Sequence, residues 1–514
     1  MDEARLDASD QSRADLSSPS SATPAAHAHE GQAARTHEPA IGATHEHPIA
    51  PTHEDPFVRA GSAVFGGPLG RHAHRGWSWW TPLRVLIGIA LASCVLGYAQ
   101  KLPCRNQTWQ GGFQYSHACY NDVFPLYYGE GLADGKRPYL DAHADGSANA
   151  TGEVEYPVLI GAFMELGAVL TKHIYPEGTR AQGFVDITWV LLAIAAVVTV
   201  IATALTVRRR IWDAAMLAAA PMLILAMLIN WDLLAVAFTA LAMLAWSRKY
   251  NFVAGTLLGL AIATKFYPIV FFLPLFVLCL RARQLKAFWS AFVGAAFAWA
   301  VVNVPVMIAS PEGWARFYYF SKIRGADWGS IWYVFTRWFG WSYTTSSLNL
   351  YEAGSIAVAF AGVIWLALAA PRRPRLPQLC FLTLALFLVL NKVYSPQYVL
   401  WLLPLAVLAR PRWRAFIVWQ TAEIIYFLGI WMYLLGDPSG RAGKGLEFGG
   451  YAVALSIRDV TVLALCVLVV VDILRPEHDI VRADGSDDPA GGVLDGATDI
   501  FDREPELYDD LVPA

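Results

Sequence analysis

Asp122 stands in an aromatic segment, Asn121-Asp122-Val123-Phe124-Pro125-Leu126-Tyr127-Tyr128, shortly after the first long apolar run. A carboxylate in such surroundings can serve as a general base, taking the proton of an incoming hydroxyl. Four cations, Lys265, Lys322, Arg324 and Lys392, interrupt later apolar stretches. Lys or Arg at such places can hold a phosphate through charge-assisted hydrogen bonds. Aromatic and polar residues accompany them: Tyr156, Trp231, Asp232, Tyr267, Trp328, Tyr394 and Gln397. Trp and Tyr rings offer a sugar an apolar face and a polar edge. The combination suits transfer of a group from phosphate to hydroxyl, with a base on the acceptor side and cations stabilising the departing phosphate. His117 and Asp327 are alternative bases. The residues before Asp122 are Tyr120 and Asn121, so no Asp-Xaa-Asp motif adjoins it; the sequence requires no metal, and no other cofactor is expected.

The elements that position these residues are apolar. The 514 residues are 56% hydrophobic and only 16% charged, and the apolar runs approach the roughly 17 to 25 residues that span a bilayer. The reading is an all-α polytopic membrane protein. Its net charge of −3 excludes no partner, because charge placement is what counts in such a chain. Basic clusters recur at alternate turns: Arg71, Arg75 and Arg84; Arg208 to Arg210; Arg248 and Lys249; Arg281, Arg283 and Lys286; Arg372, Arg373 and Arg375; Arg410, Arg412 and Arg414. The positive-inside rule makes all of them cytoplasmic. Spans traced between them cover 82–100, 184–207, 211–229, 233–247, 252–264, 268–280, 287–309, 353–370, 376–390, 396–409, 415–435 and 450–474. That gives a bundle of about twelve helices with both termini inside. Several runs are short, so they must be buried by neighbours or have polar ends in the interface.

A further apolar stretch, 156–171, would reverse every later cluster if it crossed. It reads instead as an interfacial helix, with Glu165, Lys172 and His173 interrupting its end. Residues 101–183 then form one long external loop bearing juxtamembrane helices, and 310–352 a second. Cys104 and Cys119 both fall in the first loop, where an oxidising environment favours a disulfide. With this threading Asp122, Lys265, Lys322, Arg324 and Lys392 share the external face. Each motif also has a plain structural reading, since aromatics form interfacial belts, Pro opens helices and Asp caps them. That reading is weakest for the cations, which lie opposite the side where positive charge gathers.

Flanking the domain of residues 77–475 are two polar ends. Residues 1–76 hold eight of the twelve histidines, lack apolar periodicity and read as a disordered cytoplasmic tail. His45-Glu46-His47 has no supporting Cys or helical spacing for a metal site. Residues 476–514 read as a solvated acidic cytoplasmic tail.

A lipid-linked phosphosugar meets all these features, with a phosphate for the cations, a prenyl chain for the apolar helices and a sugar for the rings. Here the chain resembles the GT-C superfamily of polyprenyl-phosphate-sugar-dependent glycosyltransferases. Glu155-Tyr156-Pro157-Val158-Leu159, Asn230-Trp231-Asp232, Ala263-Thr264-Lys265-Phe266-Tyr267-Pro268, Ser395-Pro396-Gln397-Tyr398 and Trp401-Leu402-Leu403-Pro404 resemble actinobacterial members of glycosyltransferase family 87. The resemblance runs over about 82–474. It implies a mannosyltransferase of the cell membrane that serves cell-envelope biosynthesis, acts at the external face and uses Asp122 as base. The donor would be a polyprenyl-phosphate sugar and the acceptor a glycolipid or glycan; the lipid bilayer is the other partner, and no nucleic acid is expected. A pentosyl (arabinosyl) transferase is the near alternative. A lipid or sugar flippase or transporter would instead need ionisable residues along a midplane path, for which Glu423 and Arg458 are the candidates, and these can pair with each other.

Overall fold

The computed structural model describes residues 55–64, 79–106, 109–141, 154–436 and 443–501. The chain divides after Glu46, and the described residues all belong to the second unit, His47–Ala514. Among them there are helices and turns but no strand. In chain order the main helices are α1 (Pro82–Asn106), α2 (Val123–Gly129), α3 (Val158–Ile174), α4 (Arg180–Thr206), α5 (Asp232–Ser247), α6 (Asn251–Thr264), α7 (Phe272–Arg281) and α8 (Leu285–Ala309). There follow α9 (Pro311–Ile323), α10 (Ile331–Phe339), α11 (Thr345–Ala369), α12 (Leu376–Leu390), α13 (Val399–Ala409), α14 (Trp413–Leu435) and α15 (Phe448–Leu474). Six of them, α1, α4, α8, α11, α14 and α15, are long and apolar enough to cross a membrane. The chain is a polytopic, all-helical membrane protein.

Long helices form the outside of the bundle and short ones its centre. Helix α8 exposes Phe292, Val293, Phe297 and Val301, and buries Ala291, Gly294, Ala295 and Ala298. Apolar exposure of this kind suits lipid, while small inward residues let backbones approach. Gly255 and Gly259 of α6 meet that inward stripe, and a Cβ on Gly255 would lie 1.8 Å from the Ala291 carbonyl oxygen. The short helices α5, α6, α7, α12 and α13 hold 10 to 16 residues. At 1.5 Å per residue they fall short of the roughly 30 Å hydrocarbon core. They can do so because neighbours cover them; every residue of α13 is buried.

The span expected over 211–229 is not one helix. It is a 3₁₀ run, Arg208–Ala214, followed by two short helices, Ala215–Ala218 and Pro221–Ala226. Pro221 cannot continue the ladder, and the freed backbone groups find partners inside the protein. Ser93 donates to the Ala218 carbonyl at 2.7 Å, and the Met222 amide donates to Gln420 Oε1 at 3.2 Å. Broken backbone at membrane depth is tolerated where such partners exist.

Helix α3 does not carry the chain from one end of the bundle to the other. Tyr156 at its entry lines the cavity described below. Tyr175 at its exit donates to Asp186 (3.0 Å), which also accepts from Arg105 at the end of α1. The Cys104–Cys119 disulfide ties that end of α1 to the Asp122 segment. Both ends of α3 therefore lie at the same end of the bundle, and the alternation of the later basic clusters is preserved.

Those clusters converge at the opposite end, where the acidic C-terminal segment meets them. The expectation of a solvated tail is corrected over 476–501, which folds against the bundle. Arg281 pairs with Asp499 (2.7 Å), Arg373 with Asp487 (2.7 Å), Arg375 with Asp479 (2.6 Å) and Arg209 with Asp484 (2.9 Å). Asp488 accepts the Leu376 amide at 2.7 Å and so caps α12, and Trp246 donates to the Gly491 carbonyl at 2.7 Å. Composition alone hides this, because an acidic stretch without apolar periodicity reads as solvated until its cationic partners are in view. Part of the expected N-terminal tail is also ordered: Pro56–Val64 is a helix, and Asp55 accepts the first amide of α14, from Trp413, at 2.9 Å. The rest of that tail, including His45-Glu46-His47, lies outside the described residues.

Candidate active site

At the end away from the C-terminal segment, the short central helices stop and leave a cavity of about 730 Å³. Asparagine turns close three hairpins around it. Asn121 Oδ1 accepts from the Phe124 amide (2.8 Å), Asn230 Oδ1 from the Asp232 amide (3.0 Å) and Asn391 Oδ1 from the Val393 amide (2.8 Å). Such Asx contacts fix a turn locally. They place Asp122 and Lys392, distant in sequence, on one lining, and Asp232, set by the second turn, holds Lys265 there through its ion pair.

Asp122 is the N-cap residue of α2, but its side chain makes no capping bond, because Asn121 does that work. The Asp122 amide donates to the Ile229 carbonyl at 2.6 Å, which pins the backbone to the central hairpin. The carboxylate is left to accept from the Tyr120 hydroxyl at 2.8 Å, and Tyr156 also bonds it. Burial raises its pKa to about 6, against the pull of the Tyr120 hydroxyl and the Lys265 charge. A carboxylate tuned toward neutrality is the form a general base requires.

Beneath it, Lys265 is committed to Asp232, Nζ to Oδ1 at 2.8 Å, and sits 4.7 Å from the Tyr156 ring centre. The other Asp232 oxygen accepts from Trp401 Nε1 at 3.1 Å. Trp401 is sandwiched between Tyr267 (4.0 Å between ring centres) and Tyr398 (3.8 Å). This is a buried, neutralised floor, and Lys265 contributes there mainly as a charge beside Asp122.

The remaining cations form a rim of the same cavity. Lys322 is exposed and has no ion pair among the described residues. Arg324 reaches Asp327 at 3.6 Å, and Lys392 touches Asn349 and lies 4.0 Å from Glu352. Burial holds Lys392 below the usual lysine range and raises Asp327 above the usual carboxylate range. The two loops bearing this rim are tied together: the Asp327 amide donates to the Lys392 carbonyl at 2.8 Å. Arg458 of α15 fastens both, donating to the carbonyls of Gly329 (2.7 Å) and Tyr394 (3.2 Å). Its guanidinium lies over the Tyr394 and Tyr426 rings at 3.7 and 4.0 Å. Its ion-pair partner is Asp459 (2.9 Å), not Glu423, whose carboxylate accepts from Trp419 instead.

Of the residues singled out from sequence, Asp122, Tyr156, Lys265, Tyr267, Lys322, Arg324, Asp327, Trp328, Lys392 and Gln397 line the cavity. Trp231, Asp232 and Tyr394 do not; they are buried behind its wall, where they brace Tyr156, Lys265 and Arg458. His117 is also elsewhere, exposed and stacked on Phe113 at 3.9 Å. Sequence reasoning missed Tyr115, Tyr120, Glu130, Glu155 and Trp431, which line the cavity as well. Only nearness to Asp122 could have suggested Tyr120, and Trp431 reads as one more aromatic in an apolar helix.

No curated protein matches the chain. Residues 174–391 match the model of Glycosyltransferase family 87, a segment that runs from the exit of α3 to the loop bearing Lys392. Over that segment the chain is similar to a glycosyltransferase family of the GT-C type, and the similarity lies on an all-helical membrane fold.

Proposed function

We propose that the protein transfers a hexose, mannose by its family resemblance, from a polyprenyl-phosphate sugar to a glycolipid or cell-envelope glycan. The cavity end would face outward and the basic end the cytoplasm, as the positive-inside rule orients them. The observation that carries the reading is a single cavity lined both by a phenol-held carboxylate and by three cations whose ion pairs are long or lacking among the described residues. The acceptor oxygen attacks the anomeric carbon as its proton passes to Asp122. The bond from that carbon to the phosphate oxygen breaks, and the phosphate leaves with the electron pair toward Lys322, Arg324 and Lys392. Attack opposite the leaving group inverts the configuration.

A flippase reading loses support because Arg458 is engaged in fastening loops rather than standing free along a path. Radiolabel transfer from defined polyprenyl-phosphate sugars, in membranes containing the protein, tests the proposal. Transfer from the mannosyl donor is expected; label moving only from a pentosyl donor, or only crossing the membrane unchanged, would overturn it.

A further inference from the structure

The end of α1 grips three consecutive residues on the approach to Asp122. Gln100 donates to the Ala118 carbonyl at 2.5 Å, Cys104 is joined to Cys119, and Lys101 Nζ donates to the Tyr120 carbonyl at 2.9 Å. Two of these ties are neutral and the third carries a charge. Lys101 is 1% exposed and does not line the cavity. Among the described residues no carboxylate lies within ion-pair distance of it, and its other neighbour is the Phe427 ring, 5.5 Å from Nζ. A lysine near the end of a membrane helix ordinarily extends its ammonium to water, and a buried charge is costly unless it is compensated. Gln100 shows that an uncharged side chain can tie the same segment, so the charge of Lys101 needs its own explanation.

The charges around Asp122 supply one. Lys265 is already neutralised by Asp232 at 2.8 Å, while Asp122 is held by two phenols and has no cation of its own. The titratable groups that act on Asp122 are Tyr120 in its own segment, Tyr156 at the entry of α3, Asp232 and Lys265 on the central hairpins, and Lys101 on α1. Glu130, Glu155 and Asp327 also line the cavity. Once Lys101 is counted with Asp122, Asp232 and Lys265, two cations balance two carboxylates.

We propose that Lys101 is a positioning residue for the transfer: it ties down the turn that presents Asp122 and supplies the positive charge that keeps this carboxylate ionised to receive the acceptor's proton. Burial alone drives a carboxyl toward its protonated form, and a nearby cation opposes that shift without touching the substrate. The inference rests on Asp122 serving as the base.

Sugar transfer by the full-length protein in nanodiscs, followed against pH, tests the charge. Lys101→Gln keeps an N–H donor for the Tyr120 carbonyl and removes the charge. The acid limb of its rate profile should move up by about one unit, from about 6 to about 7, the scale of one opposite charge nearby, with the rate above the limb close to that of the wild type. A limb that stays at about 6, whatever the rate above it, would overturn the proposal. Thermal stability is the second measurement, and it needs no turnover. Lys101→Met leaves Asp122 without its balancing cation, so Asp122→Asn should raise the melting temperature of Lys101→Met by more than it changes that of the wild type. Equal changes in the two backgrounds would overturn the proposal even where Lys101→Met is too poorly folded to assay for transfer. If the wild-type protein transfers no sugar, the functional reading fails, and the stability comparison still decides whether Lys101 and Asp122 are charge partners.

Discussion

At the basic end of the bundle, Arg281, Arg373 and Arg375 are each closed off by a carboxylate within 2.7 Å and are almost wholly buried. At the cavity end, Lys322 has no ion pair among the described residues, Arg324 reaches a carboxylate only at 3.6 Å and Lys392 only at 4.0 Å. Similar side chains thus do different work. A buried charge that is fully paired and hydrogen-bonded holds structure, and removing one partner strands the other. Loosely paired cations around a cavity can exchange a weak protein partner for a ligand's phosphate. Incomplete pairing, more than charge itself, marks the end where chemistry can occur.

The comparison breaks most severely if the basic end is disturbed. Arg375→Met leaves Asp479 buried without its partner and should destabilise the protein by about 3 to 5 kcal/mol, measured as a drop in thermal stability in detergent. Adding Asp479→Leu to that variant should recover much of the loss. An unchanged melting temperature in the single variant would mean that the C-terminal segment is not held by charge. Next in size is Asp122→Asn, which keeps the volume but cannot accept a proton. Sugar transfer should fall by about a hundredfold or more while donor binding persists. Normal turnover would move the base to Asp327, the other carboxyl of the cavity considered for that role.

At the rim, Lys322→Met, Arg324→Met and Lys392→Met should each lower kcat/KM by roughly 1.5 kcal/mol, about tenfold, with little change in thermal stability. Three variants with normal kinetics would leave the phosphate site without support. The smallest effect is on pH. Asp122 must be ionised to act, and its pKa is raised to about 6. Activity should therefore fall as pH drops through about 6, and Asp122→Asn should lack that limb in its residual rate. A wild-type profile flat from pH 5 to 7, about a unit to either side, would contradict the assignment.

Much of this arrangement was legible in the sequence because two signals are local. Apolar runs locate helices, and alternating basic clusters order their ends, so the cavity residues Lys265, Lys322, Arg324 and Lys392 could be grouped without coordinates. What stayed hidden depends on rotation about a helix axis or on distant pairing. Trp231 and Tyr394 carry the composition of sugar-binding residues but face inward, whereas Trp431 looks like lipid-facing filler and lines the cavity. Trp231 and Tyr394 lie in the turns between helices, where no periodicity assigns a side, and Trp431 lies on a helix so largely apolar that periodicity cannot say which side faces a cavity. The C-terminal segment was misread for a related reason: its order comes from partners far away in the chain, Arg209 with Asp484 and Arg281 with Asp499 among them.

The position of that segment in the chain also constrains the order of assembly. Every helix of the bundle precedes residues 479–499, so Arg281 and Arg375 are made long before Asp499 and Asp479 exist to meet them. A chain emerging at roughly 5 to 20 residues per second carries those guanidinium groups for roughly 5 to 40 seconds before their carboxylate partners are made. Closure of the basic end is accordingly a late event, a latch that cannot fasten until the helices bearing those arginines have already been made.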